Sequence, residues 1–489
     1  MSSTMFPKPK ELTKRPLFTG TLILTFTGLL SRLIGFFYRI YLSRLFGEEN
    51  MGIYQLVSPV IAMSFSLTAG SYQTAVSKLT AEYAAKHAGL KNPASKRPFW
   101  AALSISLPLS AICTLLTYSM AEPIAVHLLK EPRTIPLLRI IAFSFPFVGI
   151  HACINGWFYG MKKAGLPSLA QILEQLTRVG CVFFITLGDI ANGQIPSIRT
   201  AVFGLAVGEL VSMTMAILTF LPYFPLRQEH SWAHPHLFQT TRVFSFSLRN
   251  AAASQVCNHR PASSVNVSWR CVYAGLLSMV LPLTANRLTL TLLSSAESVA
   301  IPKMLRVYGY TSEGSLSVYG VLTGMALPLI LFPNALAGSI AVMLLPMISE
   351  NYCLRKLDVV RSLTFRTIKY TLSMGIVFLS IFVLFGPYLG ESLFHSALAG
   401  QCIRILGWIC PFLYLDVTLS SILQGLGKAS AIFAINVLSL MVRLAFVYLA
   451  VPLFGIQGWL WGMLVGQLLL TALYVTSLAR FFRASGKCT

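Results

Sequence analysis

Apolar residues in this chain come in long continuous runs, not in alternation with polar ones. The runs fall at roughly 17–42, 52–77, 99–120, 135–159, 168–188, 200–222, 274–301, 316–348, 367–389, 401–425, 430–452 and 456–479. A helix of about 20 such residues crosses about 30 Å of hydrocarbon. The strands of a membrane barrel would alternate instead. The pattern predicts an all-α polytopic membrane protein with about 12 transmembrane helices. Pro328, Pro333 and Pro346 lie in one run and predict kinks there. The intervening polar stretches give an N-terminal tail at 1–16, a six-helix bundle at 17–222, a linker at 223–273, a second six-helix bundle at 274–480 and a tail at 481–489.

Composition adds a second argument for lipid. Of 489 residues, 55% are hydrophobic and 11% charged, with a mean hydropathy of +0.69. Soluble domains carry about 25% charged residues. A chain this apolar has more greasy surface than its own core can hide, so the excess must face acyl chains.

The net charge of +22 would suggest nucleic acid in a soluble protein. Here its distribution says otherwise. With the N-terminus in the cytoplasm, 25 of the 38 lysines and arginines fall in cytoplasmic segments and 6 in outer loops. That asymmetry is the positive-inside pattern. It predicts a multi-pass cell-membrane protein with both termini cytoplasmic, membrane lipids as its surroundings and no nucleic-acid partner.

The nine cysteines form no CxxC, so neither a disulfide framework nor a zinc knuckle is indicated. In and near the linker, His230, His234, His236, Cys257, His259 and Cys271 fit no zinc spacing, and no metal is expected. The run at 17–42 is too long and too Arg-interrupted for a signal-peptide core, so it is expected to remain as a span.

An internal repeat organises the spans. At an offset of 265, Tyr54 falls on Tyr319, Arg139 on Arg404, Pro146 on Pro411, Gly160 on Gly425, Lys163 on Lys428 and Arg178 on Arg443. At 258, the segment from Gly204 to Leu210 falls on Gly462 to Leu468, and at 268 Glu82 falls on Glu350. Six spans per half make this a parallel repeat about an axis along the membrane normal. Such proteins hold substrate between the halves and rock them to alternate access. A channel or a static scaffold is the competing reading.

Ionisable side chains inside spans are costly unless paired or wetted, so each is a candidate for function. Arg32, Arg39, Arg139, Arg178, Arg287, Arg404 and Arg443 face only Glu174, Glu209, Glu297 and Asp416. Glu174 and Arg178 are spaced to pair on one helix. Arg139 and Arg404 lie near the outer interface and can snorkel. Arg32 and Arg287 are deep in the first and seventh spans, which are repeat mates. The offset sets Glu297 opposite Arg32 and predicts a pair. Arg32, Arg39 and Arg287 are the candidates for an anionic headgroup, because guanidinium offers phosphate two parallel hydrogen bonds. Their rival role is interhelical salt-bridging. Glu297, Glu209, Asp416 and Arg443 are candidates for the cavity wall or for ion coupling. No catalytic residue and no cofactor is expected; coupling would be to an ion gradient or the membrane potential.

Three segments carry a family resemblance. Ser31-Arg32-Leu33-Ile34-Gly35-Phe36, Tyr319-Gly320-Val321-Leu322-Thr323-Gly324-Met325-Ala326-Leu327-Pro328 and Gly425-Leu426-Gly427-Lys428-Ala429 resemble the stage V sporulation protein B group. That group belongs to the polysaccharide-export branch of the multidrug/oligosaccharidyl-lipid/polysaccharide flippase superfamily. The resemblance implies two bundles around a central cavity. It also implies movement of a polyprenyl-pyrophosphate-linked saccharide, a cell-wall or spore-cortex peptidoglycan precursor, across the cytoplasmic membrane. It implies a cavity role for Arg32 alone, and wall-synthesis proteins as further partners. Residues 251–271 depart from the pattern, being polar where an amphipathic helix would lead into the seventh span. Two alternatives stand beside a flippase. A drug/cation antiporter of the same fold would use Glu209 and Asp416, against the cationic excess. A non-transporting scaffold would keep the fold alone. A membrane enzyme would need acids or histidines in outer loops, which are short and nearly bare of them.

Overall fold

A computed structural model of the chain describes residues 16–86, 96–223 and 268–485. Every regular element among them is a helix. The main ones are α1 (Pro16–Thr68), α2 (Gly70–Lys86), α3 (Arg97–Ser119), α4 (Ile135–Ala142), α5 (Phe145–Gly160), α6 (Gly165–Ala191) and α7 (Arg199–Phe220) in the first half. The second half has α8 (Trp269–Tyr308), α9 (Ser312–Gly320), α10 (Leu327–Leu331), α11 (Asn334–Cys353), α12 (Leu357–Phe394), α13 (Ala397–Leu406), α14 (Cys410–Gly425), α15 (Ala429–Leu449) and α16 (Ile456–Ser485).

Eleven of the described helices are long and apolar enough to cross a membrane, or up to twelve if the pair bent by 43° between Ala142 and Phe145 forms one span. At 53 residues, α1 would run about 80 Å as a straight helix, more than twice the hydrocarbon thickness. It turns at Gly47, whose φ of 76° and ψ of 177° are non-helical and suit a residue without Cβ. Two crossings therefore lie in it. The second span of each half is broken near mid-length. In the first half α1 gives way to α2 at Ala69. In the second, α9 runs through a π-helical stretch into α10, and Phe332-Pro333 separates α10 from α11. The missing proline N–H frees a carbonyl there.

The repeat is legible in three dimensions. Gly204 and Gly208 of α7 let that helix lie against Val182 and Arg178 of α6. Gly462 and Gly466 of α16 do the same against Phe446 and Arg443 of α15. Each small residue removes a side chain where two backbones close up.

The two halves interlace. With the Gly47 end labelled outer, following the charge asymmetry of the sequence, the outer arm of α1 packs in its own bundle, where Tyr41 Oη is 2.6 Å from Thr186 Oγ1 of α6. Its inner arm lies along α11, with Gly28, Leu29 and Arg32 sharing a cavity wall with Ala335 and Gly338. α8 does the converse. Its outer part joins the second bundle through Glu297 and Arg443. Its inner part buries Val272, Leu276 and Val280 with Leu79 of α2 and Phe99 of α3. The helix also begins at Trp269 and ends at Tyr308, longer than the apolar run at 274–301, because Arg270, Lys303 and Arg306 continue it beyond the hydrocarbon. Most of the polar stretch at 251–271 lies outside the described residues.

The outer ends of the halves are sealed together. Glu48, just after the Gly47 turn, accepts hydrogen bonds from Ser317 Oγ at 2.6 Å and from Ser396 Oγ. Arg44 donates to the carbonyls of Leu393 at 2.7 Å and Ser392. Arg306 donates to the Lys130 carbonyl at 3.2 Å. Arg133 is 2.6 Å from both Glu49 and Glu131. Beneath them Gly320 and Gly52 meet backbone to backbone.

Candidate functional site

The intramembrane charges sort into paired and unpaired. Arg178 holds Glu174 at 2.9 Å, the pair the spacing predicted, and reaches Glu209 of α7 at 3.5 Å. Arg443 holds Glu297 at 2.7 Å. The expected Arg32–Glu297 pair is therefore not made. Glu297 sits on the outer part of α8, and the inner arm of α1 that carries Arg32 crosses to α11 instead. Arg139 lies over the Tyr118 ring at 5.7 Å.

Arg32, Arg39 and Arg287 have no acidic partner among the described residues. They occupy three different surroundings. Arg32 is exposed on the wall of a cavity of about 380 Å³ between α1, α11 and α14. Its guanidinium lies 3.5 Å from the place a Cβ on Gly338 would take. Arg287 is its counterpart in the other direction. It lies against Gly70, where a Cβ would collide with its guanidinium, and donates to Thr74 Oγ1 at 3.4 Å. Each arginine on the first span of one half thus faces the start of the inner segment of the second span of the other half. Arg39 lies on the stretch of α1 that packs in the first bundle, between the buried Tyr38 and Ile40. A bare guanidinium at such depth is tolerable only where water or an anion can reach it.

A second cavity, of about 420 Å³, lies within the second bundle between α8, α14, α15 and α16. Asn286, Asn334, Asn436 and Gln467 line it beside Asp416. Asp416 is 5% exposed. Its carboxylate accepts from Thr471 Oγ1 at 2.8 Å and from Gln467. It has no basic partner among the described residues, so its charge is left to a proton or a cation.

Sequence reading missed His151 of α5. Its Nε2 is 3.0 Å from Glu209 Oε2, and its Nδ1 is 3.4 Å from Asn155 Nδ2. The signal was present in the repeat. At 265 His151 falls on Asp416, and at 258 Glu209 falls on Gln467. Each bundle thus joins the same two helix positions by a polar contact, His151–Glu209 in one and Asp416–Gln467 in the other. Glu48 and Glu131 of the outer seam were missed too, since nothing in one dimension brings them to Ser317, Ser396 and Arg306. Among the described residues no group of His, Cys, Asp and Glu could hold a metal ion.

Two interlaced helical bundles, with the unpaired Arg32 on the wall of one cavity, form an architecture known from membrane transporters. Solved structures agree on the fold. The chain superposes on an inward-facing multidrug resistance MATE family transporter of the MOP superfamily, with a TM-score of 0.69 and 15% identity over 94% of this chain and 96% of that one. It superposes equally on an inward closed conformation of the lipid II flippase MurJ, with a TM-score of 0.68 and 13% identity over 94% and 87%.

Residues 17–352 match the polysaccharide biosynthesis protein family, and the chain belongs to that family. Residues 303–449 also match MatE. Its relatives include the stage V sporulation protein B of Bacillus subtilis (strain 168), 26% identical over 97% of this chain and 86% of that protein. The lipid II flippase MurJ of the same organism is 22% identical over 94% and 81%.

Proposed function

We propose that this protein flips a polyprenyl-pyrophosphate-linked saccharide, a cell-wall or spore-cortex peptidoglycan precursor, from the inner to the outer leaflet by alternating access. The observation that carries this reading is that the three arginines placed deep in the spans, Arg32, Arg39 and Arg287, have no acidic partner among the described residues. A pyrophosphate supplies the missing negative charge and matches the guanidinium fork. The relatives named for sporulation and for lipid II support the substrate class. On this reading both termini lie in the cytoplasm, the halves divide as 17–222 and 274–480, and wall-synthesis proteins take up the delivered substrate. The sealed outer seam then belongs to the state that loads from inside.

Asp416 gives a second reading some weight. An acid without a basic partner beside a polar cavity suits a coupling cation, whether in a flippase or in a drug/cation antiporter. Glu297 and Arg443 neutralise each other, and their role is to brace α8 on α15.

The test is transbilayer movement of a fluorescent undecaprenyl-pyrophosphate disaccharide in liposomes holding the purified protein. Wild type is expected to move it and Arg32→Ala to lose at least tenfold in rate, about the 1.4 kcal/mol lower bound for a charge-assisted contact. Movement by Arg32→Ala at the wild-type rate would sink the anion reading. Movement of a cationic dye and not of the lipid would favour the antiporter. Movement of neither would favour a scaffold.

A further inference from the structure

The two cavities border one helix. Leu413, Val417, Ser420 and Gln424 of α14 recur at steps of three and four, with Asp416 beside them, and form a single stripe. Val417, Ser420 and Gln424 line both cavities. At the start of α11 the neighbours Asn334 and Ala335 belong one to each. The cavities are therefore two lobes of one cleft, side by side against α14. Their walls differ. Arg32 stands among apolar neighbours such as Leu29, Val342 and Leu345. The Asp416 lobe carries the carboxamides of Asn286, Asn334, Gln424, Asn436 and Gln467.

Carboxamides this deep in a span are costly without partners, and the lobe has donors and acceptors to spare. The side chains of Asn286 and Gln424 make no hydrogen bond among the described residues. Asn334 Oδ1 is buried and unpartnered. Tyr474 Oη accepts from Asn436 Nδ2 at 2.9 Å, which leaves its own O–H to donate. A carboxylate has about four acceptor positions. On Asp416, Thr471 Oγ1 and Gln467 Nε2 occupy two of them.

Such a wall suits a neutral ligand rich in hydroxyl and amide groups. Planar amides and a carboxylate take neighbouring hydroxyls in pairs, and Phe433 offers a ring face to C–H groups. An anion would be repelled by Asp416. A bare cation fits less well, because it is held by oxygens. The groups turned to Asp416 are instead the N–H of Gln467 and the O–H of Thr471. The volume of about 420 Å³ is that of a small-molecule site.

We infer that the Asp416 lobe is a saccharide subsite, taking the sugar of the same molecule whose pyrophosphate lies on Arg32. This subsite rests on the anion reading of Arg32. The headgroup crosses from one lobe to the other over Val417, Ser420 and Gln424, with Asn286, Asn436 and Asp416 hydrogen-bonding its far end. A polyprenyl pyrophosphate without sugar fills the Arg32 lobe alone and leaves the amides unpaired. The cleft thereby prefers the loaded carrier to the bare one.

The test uses the full chain in nanodiscs and two short-chain ligands, farnesyl pyrophosphate and a farnesyl-pyrophosphoryl N-acetylated disaccharide. Calorimetry reads both affinities, with empty nanodiscs as the blank. Wild type is expected to bind the disaccharide form at least roughly tenfold more tightly. Asn286→Ala and Asn436→Ala, which lie on the Asp416 lobe only, are each expected to lower that ratio roughly fivefold. Arg32→Ala is expected to weaken both ligands and keep the ratio. Asn286 has no side-chain hydrogen bond to lose, so Asn286→Ala is expected to melt like wild type even where Asn436→Ala does not. Equal affinities in wild type, or an unchanged ratio in Asn286→Ala, would overturn the saccharide subsite and leave the anion reading standing. Variants that weaken both ligands alike, with affinities that fall when choline replaces sodium at fixed ionic strength, would make the lobe a cation site and overturn the subsite as well. Absence of binding of either ligand by wild type would take down both.

Discussion

At the scale of single residues, the difference between the arginines is their partners. Arg443 and Glu297 hold each other at 2.7 Å with Glu297 only 5% exposed. Removing one partner strands the other. Arg443→Ala is expected to cost about 3–5 kcal/mol, read as earlier thermal unfolding in detergent, and Arg443→Ala combined with Glu297→Ala should recover most of it. Arg32, with no acid to strand, should melt like wild type when changed to Ala. The sequence places each of these charges at membrane depth by composition alone, since hydropathy runs are one-dimensional. It pairs Glu174 with Arg178 correctly because four residues along a helix is a local distance. It mispairs Arg32 with Glu297, because that pairing depends on which bundle each arm of a long helix joins.

Elements were legible because their signals are local and strong. The apolar runs match the helices to within about ten residues, and Pro333 marks the break between α10 and α11. The turn at Gly47 and the break at Ala69 carry no proline. They are set by packing, which a pattern of apolar residues does not encode. Glycine spacing was seen as repetition before its purpose was visible. Gly320 is one such case, since a Cβ there would meet the Glu48 carbonyl and the Gly52 backbone. Backbone cannot swing aside as a side chain does. Gly320→Ala is therefore expected to destabilise the sealed state by about 1–3 kcal/mol, measured as a lower melting temperature. Gly28→Ala, with open space around it, serves as the control and should stay within about 0.5 kcal/mol.

For the whole molecule, the outer seam is the contact that the proposed alternating access would have to break. Glu48 gathers two hydroxyls from the opposite half, Ser317 and Ser396. Glu48→Ala is expected to weaken closure by about 2 kcal/mol, a shift of roughly thirtyfold in the ratio of closed to open. The reading is the rate at which an impermeant maleimide labels Ser392→Cys from outside, in a background without the native cysteines. Faster labelling is expected, and an unchanged rate would show that the seam does not limit opening. None of these contacts could be read from the chain, since they join residues separated by 269 and 348 positions. The overall plan could, because duplication writes itself twice in the sequence.

The crossing of α1 and α8 has a meaning for assembly. Each half keeps the outer length of its leading helix and lends the inner length to its neighbour, which is the geometry of reciprocal arm exchange between two copies of a subunit. A chain severed between 223 and 268 would yield two fragments, each lacking the arm that finishes it and each carrying the arm that finishes the other. Neither fragment is a half-sized transporter. The duplicated unit is closed here only by an embrace of two copies written in one polypeptide.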